Sequence, residues 1–148
     1  MPYKTLSENR KARFDYVILE TFEAGIELLG HEVKSVKAGR MGLAGSYAVF
    51  RESELMLLNS QIPPYQQNNV PENYEPTRSR CLLLHKEEVR TLIGKLKQKT
   101  IVIVPLRAYL KGPLVKMELA LARSKKAGDK REIIKKKEAH REMRKIAG

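Results

Sequence analysis

The sequence predicts a mainly β protein: an OB-like antiparallel barrel of six strands, with flanking helices and a basic C-terminal tail. Three observations predict it. Apolar, β-branched stretches come in pairs joined by short polar turns, whereas a parallel sheet needs repeated helical crossovers. Only two internal segments repeat their apolar residues at helical spacing. The positive charge is uneven: the chain carries a net +12, and residues 123–148, with eleven basic and four acidic residues, hold +7 of it. The chain therefore divides into a barrel domain, 1–123, and a tail, 124–148.

The elements follow in order. "NRKARFDY" (residues 9–16) is basic and then aromatic, and reads as a short helical turn or arm. "YVILETFEAGIELLG" (16–30) reads as a long strand rich in β-branched and aromatic residues, with a bulge or bend expected at Gly25. In "HEVKSVKAGR", Val33, Val36 and Ala38 recur at helical spacing, and Gly39 suits a C-cap. Residues 46–50 and 55–62 form a hairpin around a polar turn. Residues 63–79, with four prolines and three asparagines, are a loop of a length that is commonly functional or mobile. "RCLLL" (80–84) is a strand that leads into a helix with Val89, Leu92, Ile93 and Leu96 on one face. "TIVIVPLRAYL" and "LVKMELALA" form a second hairpin across "KGP". In its second strand Met117, Leu119 and Leu121 alternate against Lys116, Glu118 and Ala120.

Composition excludes several classes. At 148 residues the chain buries a core without disulfides or metal, and its single cysteine, Cys81, forms no internal bridge. No run approaches the roughly 20 apolar residues that span a bilayer. The polar start "MPYKTLSENRKAR" lacks the apolar stretch of a signal peptide, so a cytoplasmic location is expected. Cys81 and His85 are four apart, but a zinc site needs more ligands and none cluster nearby in sequence. There is no GxSxG, P-loop or GxGxxG. Glu87 and Glu88 point about 100° apart on their helix and cannot share one substrate atom. The expectation is a non-enzyme with no cofactor and no metal.

Binding is better supported. A pI near 9.9 points to a polyanionic partner, RNA or DNA before a membrane. Lys11 and Arg13, with Arg10, suit phosphates, and Asn9 suits a base edge or a 2′-hydroxyl. Lys34, Lys37 and Arg40 share roughly one helical face. Glu23, in an otherwise apolar strand, can accept from the amino groups of guanine or cytosine.

Together, "NRKARFDY", "ETFEAGIELLGHEVKSVKAGR", "LLNSQIPPY", "PTRSRCLLLHKEEV", "VPLRAYLKGPLVKMELALARSKKAGDKRE" and their order resemble small protein B, the tmRNA-binding (SsrA-binding) family of bacterial trans-translation. The likeness runs from about Asn9 to the end. It implies an OB-like barrel with helices around it and no enzymatic activity. It also implies binding to the tRNA-like domain of tmRNA and delivery of that RNA to stalled ribosomes. The implied partners are tmRNA, the ribosome and its RNA, and, through tmRNA, alanyl-tRNA synthetase and elongation factor Tu; a monomer is expected. Residue by residue, the likeness assigns tmRNA contact to Asn9, Glu23 and Leu83, with Lys11, Arg13, Lys34 and Lys37 in matching basic segments. Asp129, Lys130 and Arg131 match the family's DKR, on which tagging depends; Lys125 and Lys126 match the preceding basic pair, and Lys135 continues the basic tail. Phe14 stands where the family usually has histidine, and Cys81 where lysine is common.

In the tail, Ile133, Ile134, Ala139, Met143 and Ile146 form a broken apolar stripe among good helix formers. A lone helix of this length is marginal in water. The tail is therefore expected to be disordered when free and helical on the ribosome, in the empty message channel, with Asp129 at the helix start. The competing readings are a generic single-strand RNA-binding OB module and an RNA-modifying enzyme. The first would be expected to stack bases on aromatics, and the chain has no Trp and only three Phe. The second lacks a catalytic constellation.

Overall fold

The computed structural model describes residues 3–66 and 70–125. In chain order these form β1 (Lys4–Glu8), α1 (Arg10–Asp15), β2 (Tyr16–Ile26), α2 (Gly30–Lys37), β3 (Tyr47–Arg51), β4 (Glu54–Leu58), β5 (Arg80–Leu83), α3 (Lys86–Lys95), β6 (Ile101–Lys111) and β7 (Leu114–Ser124). Every strand pairing is antiparallel.

Six strands close a ring in the order β6–β3–β4–β5–β2–β7, because β7 pairs with β6 as well as with β2. This is the six-stranded barrel that the paired hairpins predict. A seventh strand, β1, is an addition that the sequence pattern did not mark. It takes the half of β6 that β3 leaves open: Lys4 pairs with Leu110 and Glu8 with Arg107, whereas β3 meets β6 only at Ala48–Ile103.

The long β6–β7 hairpin buries both faces of its first half, which explains the nearly continuous apolar run "IVIVPL". Ile101 and Ile103 point into the barrel with Phe50, Leu57, Met117, Leu119 and Leu121. Val102, Val104 and Leu106 point the other way, with Ala120 and Ala122, under Ala12 of α1 and Tyr16 at the start of β2. Full burial of each Ile, Val, Leu, Phe or Met among them contributes about 1.5–3 kcal/mol. A register shift then falls between Pro105 and Arg107. The extra residue restarts the alternation, so Ala108 enters the core while Arg107, Tyr109 and Lys111 take the outer face.

Gly25 is expected to mark a bulge or bend; the register shift of β2 falls between Ile18 and Glu20 and not at Gly25. Gly25 serves a close approach. A Cβ there would lie 3.3 Å from the Leu83 Cβ on β5, so glycine makes room for Leu83 beside it. β2 ends at Ile26, shorter than the stretch to Gly30, although Glu27 N still donates to Cys81 O at 2.9 Å. Gly39, with φ +78°, follows α2 as the C-cap pattern predicts.

Residues 63–79 lack a strand or helix among the described residues, yet their second half is anchored. The fully buried Glu32 on α2 accepts from Arg80 Nε at 2.9 Å and Nη2 at 2.7 Å, from Arg78 Nε at 3.1 Å, and from the Tyr74 hydroxyl at 2.9 Å. Arg80, also fully buried, donates onward to Ser60 O at 3.1 Å and Pro76 O at 2.9 Å. Burial alone would raise the Glu32 pKa. The donors from Arg78, Leu29 N, Arg80 and Tyr74 outweigh it and hold the carboxyl down to about 2.

Candidate nucleic-acid interface

Strand register builds the interface. Across the outer face of the barrel, Arg107 on β6 stands opposite Glu118 on β7, which stands opposite Glu23 on β2. One step along, Tyr109 faces Lys116, Lys116 faces Gly25, and Gly25 faces Leu83 on β5. Glu23 and Leu83, sixty residues apart in sequence, therefore share one surface. Leu83 is 49% exposed, so it is a surface leucine and not a core one.

Glu23 is not an idle carboxylate. The Tyr109 hydroxyl donates to its Oε2, and Lys111 Nζ donates to its Oε1 at 3.2 Å. The Tyr109 hydrogen bond, helped by Lys111 against the opposing effect of burial, holds the Glu23 carboxyl below its usual range. Burial, and then the bond to Glu23, push the Tyr109 phenol well above its own. The Arg107 guanidinium carbon lies 4.3 Å from the Tyr109 ring centroid, the Tyr3 and Tyr109 rings are 5.4 Å apart, and Lys111 Nζ lies 5.5 Å from the Tyr3 ring centroid.

Helix α1 joins the same surface through Glu118. Arg13 Nη2 donates to Glu118 Oε1 at 3.4 Å, and Arg107 Nε donates to that oxygen at 3.3 Å. Lys11 is exposed and pairs with Asp15 one turn on, at 3.4 Å. Lys125, at the end of the described chain, ties back to α1: its N donates to Asp15 O at 3.0 Å and its Nζ to Arg13 O at 3.3 Å.

Asn9 occupies a different kind of place from the one its polarity suggests. It is 3% exposed. Its Oδ1 accepts from Ala12 N at 3.1 Å, capping α1, while its Nδ2 donates to Pro105 O at 2.8 Å and Leu43 O at 3.2 Å. The side chain faces the interior and is committed there, because α1 must be fastened where β6 shifts register.

Lys34 and Lys37 lie on the exposed side of α2, opposite Glu32, Ser35 and Val36, which it buries. Lys34 lines a groove with His31, Tyr65 and Pro71, and Arg40 Nη1 donates to Tyr65 O at 3.0 Å. Neither Lys34 nor Lys37 is among the partners of the Glu23 carboxylate, which come from β6. Lys126, Asp129, Lys130, Arg131 and Lys135 lie outside the described residues.

A family model described as "SmpB protein" matches residues 6–148. The chain belongs to the SmpB family. The SsrA-binding protein of Magnetococcus marinus is 51% identical over 146 residues, covering 99% of this chain and 97% of that one. The SsrA-binding protein of Thermosynechococcus vestitus is 51% identical over 140 residues, covering 95% and 92%. A solved structure described as "tmRNA-SmpB: a journey to the center of the bacterial ribosome" matches with a TM-score of 0.68 and 46% identity, covering 92% of this chain and 96% of that one. Phe14 is 71% exposed on α1. The Cys81 thiol is pushed up to about 11 by burial, with Glu27 and Glu54 adding to it, so it stays a neutral thiol at pH 7.

The sequence pattern does not mark Arg107, Tyr109, Lys111 or Glu118 as interface residues. The alternation of Arg107, Tyr109 and Lys111 in "RAYLK" is visible, but the register shift that turns it outward is not. Among the described residues no three His, Cys, Asp or Glu side chains cluster to hold a metal ion, and no helix is long and apolar enough to cross a membrane.

Proposed function

We propose that this protein is an RNA-binding factor of trans-translation that grips the tRNA-like domain of tmRNA with its barrel and delivers it to stalled ribosomes. The observation that carries the reading is the outer face on which strand register sets Glu23, Leu83 and the cations of β6 side by side, with Arg13 of α1 tied in through Glu118. Membership of the SmpB family and the likeness to a structure described by tmRNA and the ribosome support it. RNA elbows are recognised by shape, 2′-hydroxyls and splayed bases, and an exposed leucine beside fixed polar groups suits a splayed base. The cations supply salt-sensitive affinity. Asn9 acts by holding α1, and with it Lys11 and Arg13, in place.

On this reading the protein is a monomeric, cytoplasmic binding factor without catalytic chemistry. It meets alanyl-tRNA synthetase and elongation factor Tu only through the RNA. Ser124 closes β7 and Lys125 is tied to α1, so the tail proper starts beyond Lys125; with Lys126, Asp129, Lys130, Arg131 and Lys135 it occupies the empty message channel and decoding region, where it replaces codon–anticodon pairing. Lys34 and Lys37 add a second basic face for the RNA.

Truncation after Ala127 tests the division of labour. It should leave tmRNA affinity within about threefold and abolish tagging of nascent chains in a reconstituted translation system. Equal loss of affinity and tagging would contradict it.

A further inference from the structure

The outer face holds more cations than its carboxylates neutralise. Arg13, Arg107 and Lys111 are paired with only Glu23 and Glu118, and Lys116 stands in register between Tyr109 and Gly25. Arg107 and Lys111 are also held in place. Arg107 donates Nε to Glu118 and Nη1 to Thr5 Oγ1 at 3.2 Å, with its guanidinium over the Tyr109 ring. Lys111 is fastened by Glu23 with its ammonium near the Tyr3 ring, and Glu23 is itself fixed by Tyr109, a residue only 4% exposed. A carboxylate gripped by a buried phenol and a lysine has little freedom to reach a base edge. It is well placed to hold an ammonium toward solvent.

We infer that Arg107 and Lys111 are phosphate-contacting cations of the RNA interface, and that Glu23 and Glu118 serve as their fixed counter-charges, not as readers of bases. Tyr109 is a positioning residue for this pair of rows. The ligand class is the phosphodiester backbone of a folded RNA. Pre-set cations lose less side-chain freedom on binding than free ones, which is the advantage of tethering them. The inference rests on the RNA-binding reading above.

The test is the salt dependence of binding to tmRNA and, in parallel, to tRNA. Each phosphate neutralised contributes roughly 0.7–0.9 to the slope of log affinity against log salt. Lys111→Met and Arg107→Met should each flatten the tmRNA slope by about that amount, and the double variant by about twice it. Lys111→Arg should restore it. Glu23→Gln keeps an acceptor for Tyr109 but releases Lys111. Its slope should stay or steepen, its affinity at low salt should hold within about threefold, and its preference for tmRNA over tRNA should hold as well. Unchanged slopes in both cation variants, with Glu23→Gln losing affinity equally at every salt concentration, would overturn the inference and restore Glu23 as a base reader. Circular dichroism and melting of each variant identify any that misfold, and the exposed Lys111 remains testable if Arg107→Met does not fold. Failure of the parent protein to prefer tmRNA over tRNA would count against the proposed function, while the slopes still report on the cations.

Discussion

The Tyr109 hydroxyl on β6 donates to the Glu23 carboxylate on β2, reaching across β7, which lies between the two strands. The bond couples strands that are distant in sequence and fixes one of the few acids on a basic surface. Tyr109→Phe removes the donor and leaves the ring. It should cost about 1–2 kcal/mol in urea unfolding. It should also raise the Glu23 carboxyl toward its ordinary 4.5, read by NMR titration. Because Glu23 is depressed in the folded protein, its contribution is present above pH 4.5 and fades as pH falls below; the variant should lose part of that dependence. An unmoved carboxyl titration would contradict the assignment.

Asn9→Ala should destabilise the protein by about 2–3 kcal/mol, since it removes a helix cap and strands two interior carbonyl acceptors. Asn9→Asp keeps the capping acceptor but not the amide donors, and should recover only part of that loss. Chemical denaturation checks both. Full stability of Asn9→Ala together with weakened RNA binding would mean that Asn9 meets RNA directly.

Leu83→Ala should cost under about 1 kcal/mol, as a half-exposed side chain loses little burial, yet weaken tmRNA binding tenfold or more. Gly25→Val should act similarly on binding by pushing into Leu83, whose Cβ lies 3.3 Å from a Cβ built there. A large stability loss in Leu83→Ala, with normal affinity once folded, would return that residue to the core.

Acid should unfold the protein partly through Glu32. Its folded carboxyl sits at about 2 against an ordinary 4.5, so its contribution is complete above pH 4.5 and lost as pH falls toward 2. That contribution is about 3 kcal/mol, measurable as the urea midpoint against pH. Glu32→Gln leaves Arg80 buried without its counter-charge and should cost about 3–5 kcal/mol at neutral pH while flattening the acid limb.

The barrel was legible because its hairpins announce themselves: "TIVIVPLRAYL" is a β-branched apolar run and "LVKMELALA" alternates, on either side of "KGP". β1 was not, since "KTLSE" has too few β-branched or aromatic residues to stand out, and pairing with β6 alone makes it a strand. Glu23 and Leu83 were found as single positions, through likeness to a family. Their adjacency was not, because it depends on the register across β5, β2 and β7. Glu32, Arg78 and Arg80 looked like ordinary charges among many; only the packing of α2 against the loop turns them into a buried network. Asn9 was read as a surface donor because a cap that also ties two distant carbonyls leaves no local signature.

The central claim is that the barrel face recognises a folded RNA, and competition binding tests it most directly. With labelled tmRNA as ligand, a large excess of tRNA and of single-stranded RNA should displace little of it. Comparable displacement by all three RNAs would contradict the claim and leave a general single-strand-binding barrel in its place.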